Sequence, residues 1–406
     1  MLFKDVIGQE AVKQHLVEMV EHNRVSHALL FLGKEGSGAL PLALAFSQYI
    51  TLLPNRDAPA TASLFGETPP PLQLPSTPEA ADQWMQLQAA YSKAENLVHP
   101  DIHFSYPVVT KKPGTPPLSA DYITEWREFI KQFPYGNAYD WLQFIGAENK
   151  QGNITAHECN DIIRRLNLKS FESGYKVLVM WMPEYLGREG NKLLKLIEEP
   201  PADTLFILVA ENEEAILATI LSRCQLVKVP TLEDIAVEAT LIQKVKVAPQ
   251  QAKQIANISS GNYREALHIL QHADEDFGNL LREWLNATFK NATVLQVKCI
   301  EELARLGREN QKQFLRYFTH LLEVAIRLQV LPVEAQQSIL DVLTDAERSF
   351  VPRLNKAMTL EQQEAVAAEL DKAAYHIERN ANAKILFHAL SIRIHYIVKH
   401  NVLISV

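Results

Sequence analysis

The first strongly apolar run, Ser26 to Leu32, "SHALLFL", has the length of one buried strand and leads into a glycine-rich turn. Leu42, Ala45, Phe46 and Tyr49 then recur at helical spacing. They predict a helix that buries one face on a sheet, with Pro41 in the first turn, where a missing amide hydrogen is tolerated. From about residue 51 to 120 the pattern breaks into proline-rich pieces, "GETPPPLQLPSTPEAAD" and "TKKPGTPPLS", in which no regular ladder is expected. Buried-strand runs return at Lys176 to Met182, "KVLVMWM", and Leu205 to Ala210, "LFILVA", on either side of a helix-like "NKLLKLIEE" that stops at Pro200 and Pro201. Strands alternating with helices predict an α/β fold with a parallel sheet covered on both faces.

Beyond Pro230 helical periods take over. Ser260 and Gly261 fit a turn ahead of the helix in "SGNYREALHIL". The stretches "LREWLNATF", "QFLRYFTHLLEVAIRL" and "KILFHALSIRIHYIV" suffice for a separate helical bundle. In the last of these Ile385, Ala389, Ile392 and Tyr396 form one stripe, which Leu386, Leu390 and Ile397 widen. Such a helix needs cover on several sides, from its own bundle or from a neighbouring subunit. The expected organisation is therefore 1–230, an α/β domain with an insertion at about 51–150, then 231–275, a small helical segment, then 276–406, an all-helical oligomerisation domain.

Length and charge narrow the function classes. At 406 residues the chain exceeds one compact core. A formal net charge of -8 argues against a protein that holds DNA alone through bulk phosphate neutralisation. A free-standing DNA-binding protein is thus disfavoured, and any nucleic-acid role is expected to be shared. The start, "MLFKDVIG", lacks a signal peptide's basic and apolar segments, and no run spans a bilayer, so the expectation is a cytoplasmic protein without a membrane role. Cys159, Cys224 and Cys299 are far apart and odd in number, which suits neither a disulfide framework nor a zinc site.

The turn after the first strand, "GKEGSGAL", has the frame of a phosphate-binding loop, G-x-x-x-x-G-K-[ST]. Gly33, Gly36 and Gly38 are present, but Ala39 replaces the lysine and Leu40 the magnesium-binding hydroxyl. Glu35 adds a negative charge where phosphates would lie. A hydrolysing site also needs carboxylates at the end of "KVLVMWM", one for magnesium and one for water. Either register puts only Met180, Trp181 and Met182 there, and Glu184 follows Pro183 beyond the strand end. Without the lysine, the hydroxyl and both carboxylates, the main electrostatic terms for phosphoryl transfer are missing, and hydrolysis within this chain is not expected.

Taken in order, this loop, "NKLLKLIEEPP" at Asn191 to Pro201, and "LSRCQ" at Leu221 to Gln225 resemble the AAA+ clamp-loader family. "VIGQE" at Val6 to Glu10 resembles that family's opening, and "SGNYREAL" its sensor-2 segment. "LVHPDIHF" at Leu97 to Phe104 and "HIERNANAKILFHAL" at His376 to Leu390 are similar to the delta-prime branch, found in bacterial DNA polymerase III. The resemblance implies a RecA-like AAA+ domain, a helical lid at 231–275 and a C-terminal collar. It also implies membership of the DNA polymerase III holoenzyme in DNA replication, with clamp-loader ATPase subunits, a clamp-opening delta subunit, the sliding clamp and primer-template DNA as partners. Residues 51–96 lack the four cysteines of the zinc module that many members carry, so no zinc is expected.

The resemblance further implies that Arg223, with Ser222 beside it, is an arginine finger offered in trans to a neighbour's γ-phosphate. Asn212 lies near the position of a sensor residue, and Arg264 takes that of sensor 2, where a structural ion pair serves as well. "VIGQE" leaves residual binding of ATP or ADP open, but no cofactor is required. A divergent active ATPase dependent on Glu184 is the alternative reading.

Tyr122, Trp126, Phe129 and Phe133 recur at helical spacing and are read as a small core for the insertion rather than a stacking surface for single-stranded DNA. His99 and His103 lack a third ligand, so no metal is expected there. Glu198 and Glu199 are adjacent on a helix and point apart, which suits a turn or subunit contact better than an acid pair.

Overall fold

The computed structural model describes residues 1–54, 74–147, 150–271, 277–340, 343–378 and 381–401. The chain divides into two compact units, one of Met1–Ala252 with Ser259–His268, the other of Lys253–Ile258 with the chain from Ile269 onward. The segment 231–275 is thus shared between them.

The first unit is built on five parallel strands: β1 (Ala28–Gly33), β2 (Ile102–Ser105), β3 (Lys176–Trp181), β4 (Thr204–Ala210) and β5 (Gln225–Val229). They lie in the order β2-β3-β4-β1-β5. The chain leaves β1 for the β2 edge and leaves β4 for the β5 edge. The carboxyl ends of β1 and β4 therefore flank the crevice in which open parallel sheets take ligands. Leu32 pairs with Ala210 at that end. β3 and β4 are buried throughout, whereas β5, on the edge, exposes Gln225, Leu226 and Lys228. A lysine on an edge discourages pairing with another chain.

The helix after β1 runs from Ala39 to Leu52, and every residue in it is buried, not one face alone. The sheet covers one side; Phe3–Asp5 and the helix Pro78–Gln86 cover others. Phe3 and Lys4 donate their backbone N–H groups to the Asp82 carboxylate, at 2.8 and 2.9 Å, and so pin that cover in place.

Between the two proline-rich pieces lies a strand that the sequence pattern did not mark, β2, which pairs with β3. The "HPD" motif explains why a strand forms there. Asp101 accepts hydrogen bonds from the N–H groups of Phe171, Glu172 and Ser173, fixing the segment beside β3. His99 Nε2 lies 3.3 Å from Glu172. Of the proline-rich piece that begins at Gly66, residues 66–73 lie outside the described residues, and its end opens the helix Pro78–Gln86.

The aromatic stripe also differs from its expected role. Trp126 stacks on Tyr106, with ring centroids 4.1 Å apart, and lies 5.3 Å from Trp181 of β3. Trp126, Phe129 and Trp141 join the core of the sheet rather than forming a core of their own, while Phe133 is 40% exposed. Rings of this size reach the sheet's end and fill it.

The second unit packs its helices around Trp284, Phe314, Phe318 and Phe387. Its last helix, Ala383–His400, buries Phe387, Leu390, Ile394 and Ile397. The predicted stripe is the opposite face: Ile385, Ile392 and Tyr396 are exposed. A helix that is apolar nearly all round gives no sequence signal for which face turns inward. Among the described residues, no helix is long and apolar enough to cross a membrane.

Candidate functional site

Gly33 to Gly38 joins β1 to the buried helix at the crevice. Gly36 and Gly38 have φ of 72° and 91°, a region that disfavours a side chain. Space is as restrictive as backbone geometry. A Cβ on Gly36 would fall 1.9 Å from Asn262 Oδ1, and one on Gly38 would fall 3.1 Å from the Tyr135 ring. The glycines thus admit side chains of this same chain.

Tyr135 covers the loop at Gly38. Its hydroxyl accepts a hydrogen bond from the Ile7 N–H at 2.8 Å, and its ring meets Tyr263 edge-to-face at 5.0 Å. Burial raises the phenol's pKa, so it stays neutral. Gln9 of "VIGQE" donates to the carbonyls of Ser37 and Pro230, at 3.0 and 2.6 Å, and straps the loop from another side.

Glu35 accepts hydrogen bonds from Asn137, Asn262 and Arg264, each at 3.1 Å. Arg264 also forks onto Asp140, through Nε at 2.5 Å and Nη2 at 2.6 Å. One guanidinium, 5% exposed, therefore serves two carboxylates. The charge of Glu35 is offset by Arg264, which thereby makes a structural ion pair.

Ala39 and Leu40 are buried in the core of the sheet. Their side chains pack where a working loop would present an ammonium and a hydroxyl. Between Gly36, Gly38, Tyr135, Trp181 and Glu211 there remains a cavity of about 20 Å³. That is room for one water molecule.

At the end of β3, Trp181 and Met182 are buried and supply no oxygen. Glu184 turns to the end of β4: Oε1 accepts from the N–H groups of Glu211 and Asn212, at 2.7 and 2.9 Å. Its Oε2 is buried with no hydrogen-bond partner among the described residues, and burial raises its pKa. The Asn212 side chain caps its own turn, accepting from the Glu214 N–H at 3.0 Å. Both groups are engaged in fixing the ends of β3 and β4.

Arg223 lies between the short helix Ala218–Leu221 and β5. Its Nε and Nη2 both donate to Glu198 Oε1, the former at 2.6 Å. Nη1 donates to the Thr219 carbonyl at 2.7 Å and to Ser222 Oγ at 3.2 Å. About a third of the arginine side chain and nearly half of that of Glu198 remain in solvent.

Burial pushes the thiols of Cys159 and Cys224 up to about 11, which leaves them as inert thiols at neutral pH. His103 is pushed down to about 4, chiefly by burial. No group of three metal-ligating side chains occurs among the described residues. The sequence left Tyr135, Asn137 and Asp140 unmarked, because the contacts of the first two with the loop and of Asp140 with Arg264 cross about a hundred positions or more, and no short motif carries them.

Residues 89–233 match the family described as DNA polymerase III, delta subunit. The delta-prime subunit of Bacillus subtilis DNA polymerase III is 24% identical over 261 residues, covering 64% of this chain and 59% of that protein. Its Escherichia coli counterpart is 29% identical over 131 residues, 31% of this chain and 38% of that protein. A solved gamma-subunit-related protein of DNA polymerase III from Thermotoga maritima is 14% identical, covers 94% of this chain and 98% of its own, and aligns with a TM-score of 0.37. The chain spans less than two thirds of the length of the curated relatives. By these matches the chain is similar, over part of its length, to the delta-prime subunits of bacterial DNA polymerase III.

Proposed function

We propose that this chain is a non-hydrolysing subunit of a DNA polymerase III clamp loader. It assembles with ATPase subunits and a clamp-opening delta subunit, and it lends Arg223 to a neighbour's triphosphate while the sliding clamp is loaded onto primed template. The observation that carries this reading is the phosphate loop closed by its own chain, with the Tyr135 ring over Gly38 and Glu35 neutralised by Arg264. Ala39 and Leu40, buried in the core of the sheet, offer a triphosphate neither an ammonium nor a hydroxyl, and the cavity beside the loop is about 20 Å³. At the end of β3, Trp181 and Met182 supply no oxygen, and Glu184 lies beyond it with Oε1 held by two backbone N–H groups at the end of β4.

Arg223 supports the trans role by chemistry and by exposure. A guanidinium stays charged at every working pH and offers a rigid fork to phosphate oxygens. Placed at a neighbour's γ-phosphate, it stabilises charge that builds on the transferring group, an effect worth roughly a thousandfold or more in rate. In the assembled complex, Arg223→Ala is expected to leave assembly intact and to slow phosphate release at the site it serves by about that factor. Unchanged turnover in an intact complex would remove the trans role.

A further inference from the structure

Arginine has five N–H donors. In Arg223, Nε and Nη2 share Glu198 Oε1, while Nη1 is divided between the Thr219 carbonyl and Ser222 Oγ. Among the described residues that leaves a single hydrogen on Nη2. Both edges by which a guanidinium could grip a phosphate are therefore occupied within this chain. A finger ready for use would keep one edge free.

The position of Glu198 is not explained by its own helix. It is the last residue of Leu194–Glu198, where a negative charge opposes the helix dipole, and Pro200 and Pro201 end the run just beyond it. Its described ionic partner is Arg223, which lies 25 residues away in sequence and comes from a different element. Both side chains are partly solvated, so the pair is weak and reversible. A γ-phosphate carries more charge and more acceptor oxygens than one carboxylate and can displace it.

We propose that Glu198 withholds Arg223, neutralising and folding back the finger until a neighbour's triphosphate takes it over. The proposal rests on the trans role of Arg223 given above. Glu198 is a positioning residue in this scheme, and the phosphate exchanges with its carboxylate without any covalent step. The pair sets how often the finger is engaged, and so the turnover of the complex.

The test uses the reconstituted complex of this chain with its ATPase subunits, with assembly checked by size exclusion. Glu198→Gln is expected to raise kcat for ATP hydrolysis about two- to fivefold, the scale of an exposed ion pair, with KM for ATP unchanged. The double variant Glu198→Gln, Arg223→Ala should match Arg223→Ala alone, because the effect acts through the arginine. Glu198→Asp, which keeps the charge on a shorter stem, should fall between wild type and Glu198→Gln. If Glu198→Gln leaves kcat unchanged, or slows it as Arg223→Ala does, the withholding role is overturned while the trans role stands. If Arg223→Ala itself has no effect, the trans role fails and the proposal falls with it.

Discussion

Arg264 is 5% exposed and divides its guanidinium between Asp140 and Glu35; Arg223 keeps 32% of its side chain in solvent and meets one carboxylate, itself 46% exposed. The first pairing is largely buried, and breaking it would strand buried charge. The second costs little to open, because water can replace either partner. The same residue type is a buried structural fastener in one place and a partly solvated, easily opened ion pair in another, and the local desolvation decides which.

Several substitutions would break or sharpen this contrast. The largest effect is expected from Arg264→Ala, which leaves Glu35 and Asp140 without their shared cation. Unfolding free energy should fall by about 3 kcal/mol, near the lower end for a broken buried pair because Asp140 keeps some solvent. Chemical denaturation reads it, and a loss under about 1 kcal/mol would show that the cluster does not hold the loop. Tyr135→Phe removes the acceptor for the buried Ile7 N–H and should cost about 1–2 kcal/mol by the same measurement.

A smaller effect belongs to Glu184 and appears as pH dependence. Burial raises its folded pKa above the unfolded one, so its contribution to stability is complete below the unfolded value and is lost as pH rises through the folded one. Glu184→Gln cannot titrate, so wild type should lose stability relative to this variant as pH is raised from the ordinary carboxylate range. Parallel stability curves would contradict that. The smallest effect is Arg223→Ala on the isolated chain, within about 0.5 kcal/mol. A cost near that of Arg264→Ala would erase the contrast.

The degenerate chemistry was legible because it is a matter of residue identity: Ala39, Leu40 and the apolar end of β3 are what they are in any fold. β3 and β4 were legible too, since burial on both faces writes an unbroken apolar run. β2 was hidden because it has four residues, includes His103, and lies between proline-rich stretches. The inward face of Ala383–His400 was hidden for the opposite reason, an excess of apolar positions. The closing of the loop by Tyr135 and the tie between Glu198 and Arg223 are tertiary contacts, and no local period encodes them.

The most direct test of the self-closed loop is an equilibrium titration of the isolated chain with labelled ATP, followed by phosphate release from the same sample. The expected result is no saturable binding and no turnover above buffer. Saturable binding with steady phosphate release would contradict the account.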